Sequence, residues 1–356
     1  IEVKELDNPN LTYKVVPFFG NNQFFLLATI KYNDVRLVGA PPSSIGKFGA
    51  DTDNWVFPRH TGDFSLFRVY DENGNAFTPA QHLKVNIAPR TPGEFTMVFG
   101  YPGRTQEYLT AVEMDQLVNV ENARRVEIRD VLLSIMDGEM RADAEVQLKY
   151  ASKYARIANG WKKWIGQIEG VQFSKGLDRK RKLEAEFTAR IAADANLWDK
   201  YSGLLNEITV NKIQIAEGQL KRNEFIETIY YGMEWFSLMS KLQRAKSALD
   251  VDVALLDFHQ NYSRTVSEKT TAAMLSMALK TFPDLLGDMG EATFVNTVHK
   301  EIDALIELAT KNEPIELETV APTASKFNTS AFQAFYAVSP DNAFVQKATE
   351  LSAEYM

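Results

Sequence analysis

The chain has 356 residues, of which 45% are hydrophobic and 24% are charged, and its formal net charge is −8. This is the composition of an ordinary globular protein that is long enough for two domains. The negative charge disfavours a nucleic-acid partner, because such a partner requires a basic patch. The sequence has no cysteine, which excludes disulfides, thiol catalysis and cysteine-based metal sites. No apolar run approaches the roughly 20 residues that a membrane span needs.

The first hundred residues are predicted to be rich in strands. Short apolar runs alternate there with turn residues such as Asn21, Asn22 and Gly74, which is typical of strands buried in a sandwich or barrel. The predicted strands are 13–19, 23–30, 64–70 and 95–99.

The hydrophobic period changes after about residue 113. Ile128, Val131, Leu132 and Ile135 have the spacing of one helix face. Long amphipathic helices are predicted over 139–168, 178–193, 197–215, 221–249, 268–279 and 292–311, and a short one near 342–354. A strand-rich part followed by a helix-rich part is typical of an α+β chain or of two separate domains. We therefore predict one domain over 1–112 and another over 113–356.

Common catalytic and ligand-binding motifs give no complete active site. The segment 39–47 contains two glycines and a lysine but lacks the spacing of a phosphate-binding loop. The four histidines form no HExxH pair, and there is no GxSxG or GxGxxG sequence. We therefore expect no metal and no cofactor.

The loop 51–63 is the most informative part of the sequence. It places three Asp, one Asn, one Arg, one His and one Trp directly before an alternating strand. Loops held by a rigid sheet often carry functional sites. These polar residues could equally cap turns and pair with one another. An aspartate just before a strand, such as Asp63, is also the position of the triad aspartate in chymotrypsin-like peptidases.

The chain resembles a known family over most of its length. It is similar to the bacterial serine dipeptidyl peptidases that include dipeptidyl-peptidase seven, dipeptidyl-peptidase eleven and dipeptidyl aminopeptidase BII. The motifs that carry the resemblance are VGAPPSSIGKFG at 38–49, DNW at 53–55, PRHTGDF at 58–64 and VFGYPGRT at 98–105. The resemblance implies a partial chymotrypsin-like β-barrel followed by a large, incomplete helical capping domain.

The resemblance assigns Asp63 as the catalytic aspartate of a Ser-His-Asp triad. Such an aspartate accepts the Nδ1–H of the catalytic histidine and fixes its tautomer. In the family that histidine lies upstream and the serine far downstream, so we expect both to lie outside this sequence, which starts without a Met or a signal peptide. His60 is interpreted as a structural residue of the loop. Gly62 is expected to let the backbone turn, and Thr61 to donate a supporting hydrogen bond.

Three further residues match positions that bind the free amino end of the substrate. Asn54 and Trp55 would supply an amide oxygen and an aromatic face for an α-ammonium group. Asn159 resembles an asparagine of the helical domain with the same role. The aromatic residues of its predicted helix form a stripe away from Asn159, so Asn159 could face a cleft. The alternatives are core packing for Trp55 and a solvated surface position for Asn159.

The resemblance implies an exopeptidase that releases dipeptides from peptide N-termini through an acyl-enzyme, with Asp63 orienting a histidine from outside this sequence. It further implies peptide substrates with a free N-terminus, a homodimer and a periplasmic or cell-surface location in a Gram-negative bacterium. The alternative from another class is a non-catalytic helical binding or scaffolding protein with a small β domain. A metallo-aminopeptidase is disfavoured because close ligand sets are missing from the sequence.

Overall fold

The structure is a computed structural model that describes residues 11–18, 21–46, 48, 54–56, 58–98, 100, 106–311 and 315. The chain divides into two compact units, residues 1–104 and residues 105–356. The described part of the first unit holds strands and one short helix. The described part of the second unit is helical, so most of the described chain is helix.

The first unit contains two antiparallel strand pairs. The first pair runs in register from Leu11–Ile30 to Phe18–Gln23. The second pair has a register shift between Leu37 and Gly39. The elements are β1 (Leu11–Phe18), β2 (Gln23–Ile30), β3 (Asp34–Gly39), the short helix α1 (Ser43–Gly46) and β4 (Leu66–Tyr70).

Neither described sheet closes into a barrel. Each has two strands, and Phe24, Leu37 and Phe67 are each about 60% exposed on them. The predicted strand at 95–99 is wrong over its described residues, since 95–98 have no regular secondary structure. Phe95 and Met97 are exposed, and an apolar segment forms a strand only where a neighbouring strand pairs with it. The partial barrel therefore stays a prediction.

The second unit begins with two helical turns and continues as a helical assembly. Its elements are α2 (Ala111–Asp115), a first π segment (Gln116–Asn122), α3 (Ala123–Ala142), α4 (Ala144–Phe173), α5 (Gly176–Ala192), α6 (Ala195–Tyr201), α7 (Leu204–Phe225), a second π segment (Ile226–Tyr230), α8 (Glu234–Arg244), α9 (Ala248–Gln260), α10 (Arg264–Ala278), a 3-10 turn (Pro283–Leu286) and α11 (Glu291–Thr310).

The predicted helices 178–193 and 292–311 are confirmed as α5 and α11, whereas three others are divided. The helix predicted over 139–168 is wrong in its continuity, because Asp143 separates α3 from α4. The Asp143 Oδ1 atom accepts hydrogen bonds from the backbone N–H of Glu145 at 2.7 Å and of Val146 at 3.3 Å, which makes Asp143 an N-cap. The prediction for 197–215 is divided at 202–203. The prediction for 221–249 is divided by the second π segment, by the turn after it and by the break at 245–247 between α8 and α9. The helix predicted near 342–354 lies outside the described residues.

The core of the second unit lies among α3, α4 and the helices from α8 to α11. Its largest fully buried side chains include Trp235, Tyr150, Phe236, Ile128 and Leu255. Burial of each such side chain contributes about 1.5–3 kcal/mol. This core fixes the face that α4 presents to solvent.

A buried histidine on α11 gives the stability of this unit a pH dependence. His299 is fully buried, its Nδ1 lies 2.7 Å from the Val295 carbonyl oxygen, and its Nε2 lies 3.1 Å from Ser267 Oγ. These contacts fit a neutral ring that donates from Nδ1 and accepts at Nε2. Burial lowers the pKa of His299 below its ordinary value of 6.5.

We expect the free energy of unfolding to fall as the pH decreases below about 6.5. As the pH falls, the unfolded chain binds a proton at His299 at a higher pH than the folded chain does. The contribution of neutral His299 to the free energy of unfolding is therefore complete above pH 6.5 and is lost on acidification. Urea unfolding between pH 7.5 and 5 measures the slope, to which one group adds at most about 1.4 kcal/mol per pH unit. The slope should be shallower in His299→Gln and unchanged in His259→Gln, whose histidine is exposed. Equal slopes in the two variants would contradict this assignment.

Candidate functional site

The loop before β4 is anchored to the short helix α1. Thr61 Oγ1 donates to the Gly46 carbonyl oxygen at 2.7 Å, and the Gly62 N–H donates to the Ile45 carbonyl oxygen at 3.0 Å. A Cβ at Gly62 would lie 2.9 Å from Ile45 Cγ2, so this approach requires glycine. Thr61 therefore supports the loop through α1, and the anchor fixes the backbone just before Asp63.

Asp63 follows the anchor and precedes β4 by three residues. Its side chain is exposed. Its carboxylate has no hydrogen bond or ion pair with any other described residue. A carboxylate in this state can accept two or more further hydrogen bonds. The structure thus places an available acceptor at the residue that the sequence indicates.

Asn54 and Trp55 form a turn earlier in the same loop. Trp55 has a positive φ of 62°, a left-handed conformation that is strained for a bulky side chain and is found mostly where the surroundings impose it. The indole is 49% exposed, so its face is partly accessible. Asn54 Oδ1 accepts a long hydrogen bond of 3.5 Å from Arg59 Nη1. The aspartates at 51 and 53 lie outside the described residues.

Asn159 lies in the second unit, on the exposed side of α4. The aromatic stripe of α4 faces the core as the sequence indicates, since Tyr150 is fully buried and Trp161 packs against the core. Trp161 Nε1 also donates to Asp130 Oδ1 at 2.7 Å, which links α4 to α3. The roles of Asn54, Trp55, Asp63, His60 and Asn159 stay predictions.

Sequence reasoning missed a buried arginine beneath the Asn159 turn. Arg129 of α3 donates from Nη1 to the Ile157 carbonyl oxygen at 2.8 Å and from Nε to Glu227 Oε2 at 2.6 Å. Its guanidinium lies 4.3 Å from the centre of the Trp164 ring, within the range of a cation–π contact. A Cβ at position 160 would overlap Arg129 Nη1. The sequence signal of this close contact between Arg129 and α4 is Gly160, a glycine inside a long helix.

The two π segments and the end of α7 supply acids that compensate arginines of α3. Glu227 of the second π segment pairs with Arg129, and both side chains are almost fully buried. Glu121 of the first π segment lies 3.6 Å from Arg125. Next to the second π segment, Glu224 accepts two hydrogen bonds from Arg124, at 2.8 and 2.5 Å, which raise the pKa of Arg124. π segments within helices occur often at functional sites.

Among the residues that the structure describes, no three His, Asp or Glu side chains lie close enough together to hold a metal ion. No described helix is both long and apolar enough to cross a membrane.

Comparison with known proteins identifies relatives of one kind. The chain is 38% identical over 287 residues to the Asp/Glu-specific dipeptidyl-peptidase of Flavobacterium psychrophilum, covering 74% of this chain and 40% of the relative. It is 44% identical over 249 residues to the Asp/Glu-specific dipeptidyl-peptidase of Capnocytophaga gingivalis, covering 66% and 34%. It is 34% identical over 279 residues to dipeptidyl-peptidase 7 of Porphyromonas endodontalis, covering 74% and 34%. The chain thus spans less than half the length of these relatives.

A solved structure and a family model agree with these relatives. The crystal structure of Porphyromonas endodontalis DPP11 in complex with the dipeptide Arg-Glu matches with a TM-score of 0.70 and 26% identity, over 94% of this chain and 53% of that chain. The family model of peptidase S46 matches residues 1–333. The resemblance found in the sequence is confirmed, and the chain belongs to the peptidase S46 family.

Proposed function

We propose that this chain is part of a serine dipeptidyl peptidase that releases dipeptides from the free N-terminus of peptides through an acyl-enzyme. Membership of the S46 family supports the reaction class, because the relatives are named as dipeptidyl-peptidases. The single observation that carries the assignment within this chain is Asp63. Its carboxylate is available, and its loop is fixed to α1 by Thr61 and Gly62.

In the proposed mechanism Asp63 accepts the Nδ1–H of a histidine from outside this sequence. That hydrogen bond keeps Nε2 free to take the proton of the attacking serine and stabilises the imidazolium that results. The exposed carboxylate fits this role, since it is not already held by a described residue. The serine nucleophile and the barrel around it belong to the same proposal.

Recognition of the substrate's amino end is assigned to Asn54, Trp55 and Asn159. The side-chain oxygen of an asparagine can accept a hydrogen bond from an α-ammonium, and an indole face attracts a cation. The exposed positions of Asn159 and Trp55 are compatible with such contacts. An enzyme built in this way rejects peptides whose amino end is blocked.

Replacement of Asn159 by Ala in the complete protein tests this assignment. We expect kcat/KM for a dipeptidyl amide with a free amino end to fall about 10- to 100-fold, since a hydrogen bond to a charged group contributes about 1.5–3 kcal/mol. The slow hydrolysis of the N-acetylated substrate should not change. Steady-state kinetics with the two fluorogenic substrates measures both values.

The matched control is Asn206→Ala, because Asn206 is an exposed asparagine on α7 with no described partner. Its kinetics should equal those of the unmodified protein. An equal loss for the free and the acetylated substrate in Asn159→Ala would refute the amino-end assignment. Absence of all dipeptide release from the unmodified protein would refute the proposed function itself.

A further inference from the structure

The second unit contains a cavity that the proposed chemistry does not use. Its volume is about 440 Å³, within the range of about 300–1,000 Å³ of small-ligand sites. Its walls come mainly from α4, α8, α9 and the second π segment with the turn after it, and Met136 of α3 and Thr270 of α10 also line it. The charged residues that line it are Lys149, Lys153, Arg156, Lys241, Glu234 and Asp257.

The three lysines of this cavity already have acidic partners. Lys149 pairs with Glu145 at 2.7 Å. Lys241 pairs with Asp257 at 3.1 Å. Lys153 pairs with a glutamate of α8 at 2.5 Å and also donates to a backbone carbonyl group. The charges of these lysines are therefore neutralised within the described protein.

Arg156 is the remaining cation of the wall. Among the described residues its guanidinium has no hydrogen bond and no ion pair. It thus presents five N–H donors and one positive charge that no described acid neutralises. Such a group binds a carboxylate through two parallel hydrogen bonds.

Aromatic side chains also line the cavity. Tyr230 and Tyr231 are each about 45% exposed, and their ring centres lie 5.1 Å apart in a T-shaped arrangement. Phe258 also lines the cavity. The turn after Tyr231 is fixed, because a Cβ at Gly232 would lie 2.6 Å from Met274 Cγ. The two partly exposed tyrosine rings and Phe258 therefore supply an aromatic part of the lining that also includes Arg156.

Two serine hydroxyl groups of the lining are available for hydrogen bonds. Ser152 of α4 and Ser237 of α8 both line the cavity, and neither side chain makes a hydrogen bond to another described residue. Each hydroxyl can donate to a peptide carbonyl group or accept from a peptide N–H. The cavity thus combines one available positive charge, aromatic walls and groups that pair with amides.

We infer that this cavity binds a short peptide and that Arg156 binds a carboxylate group of that peptide. A phosphate group carries close to two negative charges at neutral pH, whereas the wall offers one cation without an acidic partner. The choice of a peptide over another carboxylic acid rests on the peptidase family, and binding here does not require dipeptide release. The carboxylate can come from an acidic side chain or from the C-terminal end of the chain.

Calorimetric titration of the complete protein with three matched dipeptides tests the inference. Glycyl-glutamate amide carries a side-chain carboxylate, glycyl-glutamine carries a C-terminal carboxylate, and glycyl-glutamine amide carries neither. We expect at least one of the first two to bind about tenfold more tightly than the third, since a hydrogen bond to a charged group contributes a factor of this order. The better ligand identifies the source of the carboxylate.

Arg156→Gln should remove that preference, and Arg190→Gln should keep it. Arg190 is likewise an exposed helical arginine without a described partner, but it lies on α5 outside the cavity. Equal binding of the three dipeptides to the unmodified protein, or no binding of any of them, would overturn the inference. An equal loss of the preference for a carboxylate in the two variants would also overturn it. The same holds if inorganic phosphate displaces the peptide at an equal concentration. None of these binding measurements depends on catalysis. The inference about the cavity and the dipeptidyl peptidase proposal can therefore fail independently of each other.

Discussion

Replacement of Asp63 by Asn is expected to lower kcat of the complete protein roughly ten-thousand-fold, the size of the effect when a triad aspartate becomes an amide. An asparagine keeps the shape of the side chain, but it can present an N–H in place of the acceptor oxygen. The histidine would then adopt the tautomer that cannot take the proton from serine. Steady-state kinetics with a dipeptidyl substrate measures the loss.

Asp63→Asn should leave the fold intact, because the carboxylate is exposed and contacts no described partner. Thermal unfolding of the variant should therefore match that of the unmodified protein within about 0.5 kcal/mol. Glu72→Gln is the matched control for charge, since Glu72 is exposed and lies just after β4. Near-normal turnover in Asp63→Asn would show that this residue is not the triad aspartate.

Replacement of Arg129 by Ala is expected to destabilise the chain by about 3–5 kcal/mol, the cost of removing one partner from a buried ion pair. The side chains of Arg129 and Glu227 are 9% and 4% exposed, so the change leaves Glu227 charged and buried. It also removes the donor to the Ile157 carbonyl group. Urea unfolding followed by circular dichroism measures the difference.

Arg141→Ala provides a control on the same helix. Arg141 pairs with Asp137 at 2.8 Å, but its side chain is 78% exposed, and surface pairs of this kind contribute about 0–1 kcal/mol. Partial recovery is expected when Glu227→Gln is added to Arg129→Ala, because the unpaired charge is removed. Similar losses of unfolding free energy in the Arg129 and Arg141 variants would show that the buried ion pair stabilises the fold no more than the exposed one.

The helical part of the fold was predictable because hydrophobic period is a local property. The confirmed helices α5 and α11 each follow a continuous pattern. The break between α3 and α4 depends on a single side chain, Asp143, whose capping hydrogen bonds leave the hydrophobic pattern unchanged. The strand predicted at 95–99 is wrong over its described residues, 95–98, for a different reason. A strand requires a neighbour in space, and apolar content does not supply one.

The candidate site was predictable where it is contiguous in sequence. Asn54, Trp55 and Asp63 lie within ten residues of one another, and their motif is recognisable. Arg129 and Glu227 lie 98 residues apart, so only the tertiary structure brings them together. The Arg156 cavity was missed for the same reason, since its walls come from several helices.

We expect the exposed apolar side chains of β2, β3 and β4 to affect the synthesis of this protein. These strands precede every helix of the second unit in the chain, so they leave the ribosome before those helices. Phe24, Leu37 and Phe67 are exposed in the described unit, and nascent segments of this kind bind chaperones or aggregate. The yield of folded protein will then depend on chaperone capacity during translation, whereas the stability of the later helical unit has no influence at that stage.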